Sequence, residues 1–468
     1  MSVVSVLLAA GQGTRMKSAL PKVLHPVCGR PMIFYALEAA SRASEAKPVV
    51  VIGHGADQVQ DVVGDRARFV RQHPLLGTAH AVMQAAPLLR GEAEYVLVTY
   101  ADMPLLRAET LQALVERQKQ NPGPITLLTV ISPQARGFGR ILRDEQGNVQ
   151  AIIEEAVATP AQLRIQELNV GAYCFRADWL WEALARIPLS PKGEYFLTDT
   201  VELAVRDGLS VETVLLEDQE ETIGVNTRLH LAEAERVMRR RINQRHMLNG
   251  VTLIDPETTY IEPGVTIGSD TVIWPNTFLL GETQIAEGCE IGPNSWIRDT
   301  RIGRSCHVRM SVLEGAVLEE EVEVGPFARL RPGAHLARGV HMGNFGEVKD
   351  SYLGPGVKMG HFSYIGNATI GANTNIGAGT ITCNYDGEKK HPTWIGENVF
   401  IGSDTMLVAP VRLGDRSRTG AGAVVTKDVP EDTLVVGVPA RAIRKLSPKK
   451  VSDGSDSGTT AGTDPKGE

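Results

Sequence analysis

The sequence predicts two folds in tandem on one chain of 468 residues: a doubly wound, Rossmann-like α/β domain, a connecting helix, and a parallel β-helix. Three observations predict it. In the first half, apolar runs at 3–10, 49–52, 95–99 and 125–130 alternate with helix-like stretches such as 108–121, the order that builds a mostly parallel sheet covered on both faces. At 228–248 the composition shifts to Leu, Ala, Glu and Arg, with Leu231, Ala234, Val237, Met238 and Ile242 at helical spacing. Beyond it, aliphatic residues recur every six positions.

The first run, 3–10, is apolar but has no basic segment before it and a glycine-rich turn after it, so it reads as a buried strand and not as a signal peptide. No stretch approaches the ~20 apolar residues of a membrane helix. Net charge is −7, and no long basic run stands out, which excludes the electrostatic signature of a nucleic-acid binder. The five cysteines, Cys28, Cys174, Cys289, Cys306 and Cys383, show no CxxC spacing. They read as free thiols of a cytoplasmic protein, neither a disulfide framework nor a zinc site. On the connecting helix, Arg239, Arg240, Arg241 and Arg245 read as a solvated face.

The period of six runs through Ile261, Ile267, Ile273, Leu279, Ile285, Ile291 and Ile297, then Val312, Leu318, Val324, Leu330, Leu336, Met342 and Val348, then Ile395, Ile401, Leu407 and Leu413. Coils of three short strands generate this spacing, because one aliphatic residue per strand must point into a narrow interior. Small residues after it, such as Gly268, Gly281 and Gly292, suit the corners. The expected division is 1–226, a linker helix 227–248, a β-helix 249–446, and a polar tail 447–468 that reads as disordered.

After the first strand comes Leu8-Ala9-Ala10-Gly11-Gln12-Gly13-Thr14-Arg15-Met16, a glycine loop whose amides can wrap phosphates. The dinucleotide fingerprint fails at Met16, and no Gly-Lys-Ser/Thr follows, so the Walker A pattern fails as well. What remains, Gly-x-Gly-Thr-Arg followed by Pro21-Lys22, resembles the signature of sugar-phosphate nucleotidyltransferases. That resemblance implies attack of an anionic sugar phosphate on the α-phosphorus of a nucleoside triphosphate. Such a reaction needs no general base, only alignment and charge neutralisation. Arg15 would clamp the departing pyrophosphate and Lys22 the transferring phosphoryl group, with Mg²⁺ held at Asp102, just past the run at 95–99.

Over residues 3–446 the chain further resembles the family of bifunctional N-acetylglucosamine-1-phosphate uridyltransferases and glucosamine-1-phosphate acetyltransferases. The resemblance implies that Leu8, Ala9, Ala10, Gly11, Gln72, Gly77 and Thr78 surround the uracil end of UTP. It places Tyr100, Ala101 and Asp102 at the ribose and metal, and Gly139, Glu154 and Asn169 around the amino sugar. Asn226 would share Mg²⁺ with Asp102. Four places depart from the family pattern: Ala101 for a glycine, Val170 for a small hydroxyl residue, Phe196 for a tyrosine, and Ala156-Val157 for a Lys-Asp pair.

In the repeat half, the hexapeptide rhythm is interrupted by Gly360-His361-Phe362-Ser363-Tyr364, by Arg331, by Lys349, and by the loop Asn384-Tyr385-Asp386-Gly387 with Lys390. Interruptions of a repeat are where function concentrates. An amine attacking a thioester must lose a proton, and His361 is the candidate base. By resemblance, Arg331, Lys349 and Lys390 hold the sugar phosphate, and Tyr364, Asn375, Asn384 and Tyr385 position the sugar. Ala378, Ser403 and Ala421 line an acetyl-CoA groove, with Arg441 a further candidate contact. Periodicity leaves the hand of the β-helix open; resemblance to hexapeptide-repeat acyltransferases implies a left-handed coil and a homotrimer. The expected partners are glucosamine-1-phosphate, acetyl-CoA, UTP and N-acetylglucosamine-1-phosphate. Two competing readings are an acetyltransferase whose front domain only binds or regulates, and a purely structural β-helix trimer.

Overall fold

The computed structural model describes residues 2–446, so the tail expected at 447–468 lies outside the described residues. The chain divides into two compact units, Met1–Arg245 with Tyr260–Pro263, and His246–Thr259 with the chain from Gly264 onward. Among the described residues no helix is long and apolar enough to cross a membrane.

In the first unit the strand Val3–Ala9 is buried at every position, as a central strand covered on both faces must be. It pairs in parallel with Val49–Ile52 on one side and with Tyr95–Tyr100 on the other. The strand order is Val211–Leu215, Ile125–Ile131, Glu167–Arg176, Tyr95–Tyr100, Val3–Ala9, Val49–Ile52, Arg68–Arg71. The chain first builds one side of Val3–Ala9 and then crosses to the other. Its carboxyl end, beside that of Tyr95–Tyr100, is therefore the switch point at which ligands of open α/β sheets bind. The expected mostly parallel sheet holds an antiparallel strand, Glu167–Arg176, between Tyr95–Tyr100 and Ile125–Ile131, and Arg140–Arg143 and Val149–Ile153 join it as an antiparallel hairpin. It is buried from Leu168 to Phe175, and a strand buried on both faces carries no pattern that tells direction.

The helix Arg228–Leu248 buries Ala234, Val237, Met238 and Ile242. Of the arginines expected to form a solvated face, Arg240 and Arg245 are exposed, whereas Arg239 and Arg241 are half-buried. Arg241 donates to the Leu105 carbonyl at 2.7 Å and to Asp218, Arg240 pairs with Glu220, and Arg239 lies 4.6 Å over the Tyr260 ring. A composition count cannot see the acidic and carbonyl groups that the loop at 218–221 brings to the helix.

The second unit is a parallel β-helix of three sheets, whose strands advance one coil at a time. One inward residue per strand stacks on the next: Ile273 on Ile291, Leu279 on Ile297, Ile285 on Ile302. One expected register is corrected. Val312 is 39 % exposed, and Leu313 beside it is fully buried, stacked on Ile297. Three corners, before Ile302, before Leu313 and before Leu318, are one residue short, so the period of six slips there. Leu313→Ala is therefore expected to cost about 2–5 kcal/mol of stability and Val312→Ala under about 0.5 kcal/mol, measured by urea unfolding. Equal effects would restore the uncorrected register.

Corner residues are largely Asn or Asp at positive φ, as at Asn276, Asn294, Asn367, Asn373 and Asp404. Some glycines serve a different purpose. A Cβ on Gly377 would lie 2.7 Å from the Gly402 backbone, and one on Gly402 would lie 2.7 Å from that of Gly420. This edge of the β-helix is a close-packed glycine column.

Candidate active sites

At the switch point of the first unit opens a cleft of about 720 Å³, lined by the glycine loop and by Lys22, Gln72, Gly77, Thr78, Tyr100, Asp102, Gly139, Glu154, Asn169 and Asn226. Leu8, Ala9, Ala10, Gly11 and Arg15 line it too. Arg15 stands exposed in the short turn Thr14–Met16 and has no carboxylate partner among the described residues. The Lys22 ammonium sits between the Asp102 carboxylate, with which it pairs, and the Asn226 amide oxygen at 3.2 Å. The Lys22 and Asp102 side chains are only 14 and 17 % exposed, so an unpartnered Asp102 would be costly, and a cation belongs there. Among the described residues no group of three or more His, Cys, Asp or Glu side chains could hold a metal. Asp102 and Asn226 are a two-ligand set of hard oxygens, the kind that suits Mg²⁺ completed by phosphates and water.

Gln72 is buried, and its Nε2 lies 2.9 Å from the Gly77 carbonyl and 3.2 Å from His80 Nδ1. A carbonyl can only accept, so Nε2 must face it and Oε1 is left for the cleft. Thr78 Oγ1 accepts from the Leu197 N–H at 2.9 Å. Glu154 accepts from Thr198 Oγ1 at 2.9 Å, and the Gly139 carbonyl accepts from the Asn169 N–H at 2.9 Å. Tyr100 is pushed well above the usual phenol range by burial and by Glu154 and Asp102, so it stays neutral. Burial, with Glu202 and Glu154 adding, pushes the nearby Asp199 carboxyl up to about 6. Gly171 has φ +93°, and a Cβ there would lie 2.6 Å from the Tyr100 ring, so the bulge at this strand leaves room for the tyrosine.

Ala101 is the one front-half candidate that the cleft does not include. It is fully buried in the apolar cluster with Leu7, Val23, Ile33 and Val50, at negative φ, its N–H bonded to the Leu8 carbonyl at 3.1 Å. Its methyl belongs to the apolar cluster and not to the cleft lining. Ala101→Gly is accordingly expected to leave turnover unchanged and to move the KM for UTP severalfold at most. A rise in turnover of about tenfold, worth about 1.4 kcal/mol in the barrier, would place the methyl against the reaction after all. Of the other departures, Val170 and Phe196 line the cleft and Ala156 and Val157 do not. Thr198 and Tyr173 were missed by sequence reading: a threonine in Leu197-Thr198-Asp199 and a tyrosine in an apolar strand carry no motif.

In the second unit the candidates fall at two edges of the middle sheet. At the first edge, His361, Ala378, Ser403 and Ala421 each follow a glycine, Gly360, Gly377, Gly402 and Gly420, of which the last three are close-packed while a Cβ on Gly360 would meet nothing within 4 Å. Successive coils therefore stack these four residues in one line. Asn375 lies on the adjoining sheet, paired with Lys358 below and Phe400 above. His361 and Ser403 are exposed, and among the described residues no side chain hydrogen-bonds the His361 ring. At the other edge stand Arg331, bonded to Glu347 at 3.0 Å, and Lys349, 3.5 Å from Asp350. Lys390 joins them, held below the ordinary lysine range by the Lys349 amine against it. Asn384 Nδ2 donates to Asn367 Oδ1 at 2.7 Å, and the Tyr364 hydroxyl and Asn384 amide close over Gly366. The coil leaving Asn375 carries extra residues, a loop pinned by Asp386, which accepts from the N–H groups of Glu388 and Lys389 and contacts His391 at 2.6 Å. Tyr385 and Lys390 bridge within that loop. Arg441 lies in the exposed strand Arg441–Lys445.

Fold and sites together define a two-domain transferase, a nucleotidyltransferase-type α/β domain joined to a hexapeptide-repeat β-helix. Residues 5–179 match the family described as a MobA-like NTP transferase domain, and residues 264–299 and 392–427 match the bacterial transferase hexapeptide family, whose coil is left-handed. The chain is 48 % identical to the bifunctional protein GlmU of Heliobacterium modesticaldum over 92 % of this chain and 94 % of that protein. To GlmU of a Geobacillus species it is 46 % identical, over 94 % of this chain and 96 % of that protein. To GlmU of Listeria monocytogenes it is 45 % identical, over 92 % and 94 %. The chain belongs to the GlmU family of bifunctional proteins.

Proposed function

We propose that the chain acetylates glucosamine-1-phosphate with acetyl-CoA at the β-helix and then transfers UMP from UTP to the N-acetylglucosamine-1-phosphate at the cleft, releasing pyrophosphate and UDP-N-acetylglucosamine. The observation that carries this reading is the seat of Lys22 between Asp102 and Asn226, inside a cleft whose other wall holds Glu154 and Asn169. It puts positive charge where two phosphate groups must crowd together, and polar sugar partners across from it.

Each residue has a derivable part. Gln72 Oε1, left as an acceptor, matches the imide N–H of uracil and rejects cytosine, whose ring nitrogen there carries no hydrogen. Lys22 and Arg15 neutralise the phosphates as charge shifts to the departing pyrophosphate. Mg²⁺ at Asp102 and Asn226 supplies further neutralisation when bound. Asn226, an uncharged ligand, contributes less of it than Asp102. Glu154 and Asn169 take the sugar.

At the β-helix, Arg331, Lys349 and Lys390 take the sugar phosphate. His361 accepts the proton of the attacking amine, and the groove along Ala378, Ser403 and Ala421 takes the acyl carrier. The strand Ser363–Gly366, roughly 10 Å long, separates the His361 corner from the cationic edge, so the candidate base and the cations of one copy stand at opposite ends of it. A neighbouring copy in a trimer completes the site. Supporting this, Phe327, Phe345 and Phe362 stand exposed by 54, 60 and 55 % in one line beside His361, the first two stacked at 5.4 Å. An aromatic line of this kind is what a subunit contact buries. Gel filtration with light scattering should give three copies. A monomer that still acetylates would overturn the shared site.

The test of the reading as a whole supplies N-acetylglucosamine-1-phosphate, UTP and Mg²⁺ without acetyl-CoA. UDP-N-acetylglucosamine should form. Nucleotide binding without product would favour a front domain that only binds.

A further inference from the structure

Asn169 lines the cleft, yet it is only 7 % exposed and its amide is held from behind at both ends. The Gly171 N–H lies 3.2 Å from Asn169 Oδ1, and Asn169 Nδ2 donates to the Tyr173 hydroxyl at 2.7 Å. A backbone N–H can only donate, so Oδ1 must face Gly171 and the orientation of the amide is decided. One Nδ2 hydrogen then goes to Tyr173, which leaves the second Nδ2 hydrogen as the only donor the amide has for a ligand. Tyr173 itself is fully buried, stacked on Phe175 at 5.6 Å, in the strand Glu167–Arg176, and cannot touch a molecule in the cleft. Its hydroxyl is the one side-chain oxygen that the buried stretch Tyr173-Cys174-Phe175 carries. A phenylalanine would fill the same space, and burying a hydroxyl without a purpose is unfavourable.

We propose that Tyr173 is a positioning residue for uridylyl transfer, whose hydroxyl fixes the Asn169 amide so that its free N–H is aimed at an oxygen of the N-acetylated sugar phosphate. This rests on the reading of Asn169 as a sugar contact. Across the cleft, Thr198 fixes Glu154 as an acceptor in the same way, at 2.9 Å. The sugar thus meets one oriented donor and one oriented acceptor. Without the Tyr173 hydroxyl, Nδ2 loses its buried acceptor and only the longer bond from the Gly171 N–H, at 3.2 Å, still holds the amide, so the donor offered to the sugar is less firmly aimed while the phosphates keep their partners.

The experiment is Tyr173→Phe in the full chain, which keeps the ring and its packing. The KM for N-acetylglucosamine-1-phosphate is expected to rise about tenfold, with turnover and the KM for UTP changed by less than about twofold. Acetyl transfer in the same sample reports that the protein is intact and should not change. Asn169→Ala should raise the same KM by at least as much, and Tyr173→Phe added to Asn169→Ala should add nothing, because the two act through one group. A KM unmoved by Tyr173→Phe while Asn169→Ala raises it would overturn the positioning role and leave the sugar site standing. Additive effects of the two changes would also overturn it, since Tyr173 would then act elsewhere. No effect of Asn169→Ala would overturn the placement of the sugar itself, and the proposal with it.

Discussion

Acetyl transfer by the His361→Ala protein is expected to fall by about 10²- to 10⁴-fold while uridylyl transfer in the same sample stays at its full rate. The amine of an amino sugar is a nucleophile only after it gives up a proton, and a base close to neutrality in strength is what the step needs. His361 fits by position. It follows Gly360, whose carbonyl lies 2.0 Å from where a Cβ on Gly343 would stand, so a side chain at Gly343 would displace the corner that carries the imidazole. The ring stands in line with Ala378, Ser403 and Ala421, exposed and without a hydrogen-bonded side chain, free to take a proton from a bound ligand. Rates with glucosamine-1-phosphate and acetyl-CoA, read as free CoA, check this. A rate within about threefold of the parent, in a protein that is still trimeric, would mean that another group takes the proton.

The opposite separation is expected at the cleft. Asp102→Ala should lower uridylyl transfer by about 10³-fold or more, Asn226→Ala should do so more mildly, and neither should touch acetyl transfer. Asp102 contributes a charge as well as an oxygen, and it is the carboxylate against which Lys22 is held. Its loss removes one cation seat and releases the other cation at once. Part of the lost rate should return at high Mg²⁺, because a weakened site still fills by mass action. If none returns, metal occupancy is not what Asp102 provides, and the seating of Lys22 is the larger part of its role.

How much was legible in the sequence follows from which forces leave a local trace. Strand and helix runs of the first unit are set by burial, so the runs at 49–52 and 125–130 correspond to the strands Val49–Ile52 and Ile125–Ile131. The glycine loop carried its own signature. The β-helix was legible because one side chain per strand must enter the interior, and the slip at Val312 and Leu313 came where three corners lose a residue. What was not legible depends on contacts made across the chain. Ala101 adjoins Asp102 in sequence, yet its side chain belongs to the core beneath the sheet. The seat of Lys22 needs Asp102 and Asn226 brought together from far along the chain. Tyr173 and Thr198 sit behind the sugar partners, bonded to groups that no spacing rule connects to them.

The central claim is that one chain runs two reactions at two sites, the second consuming the product of the first. One measurement tests it most directly: glucosamine-1-phosphate, UTP and Mg²⁺ are mixed with the protein, acetyl-CoA is added last, and free CoA and pyrophosphate are followed in separate channels. No pyrophosphate is expected before acetyl-CoA is added, and afterwards CoA should appear first with pyrophosphate following in equal final amount. Pyrophosphate released before acetyl-CoA is present, or CoA released with no pyrophosphate after it, would contradict the claim.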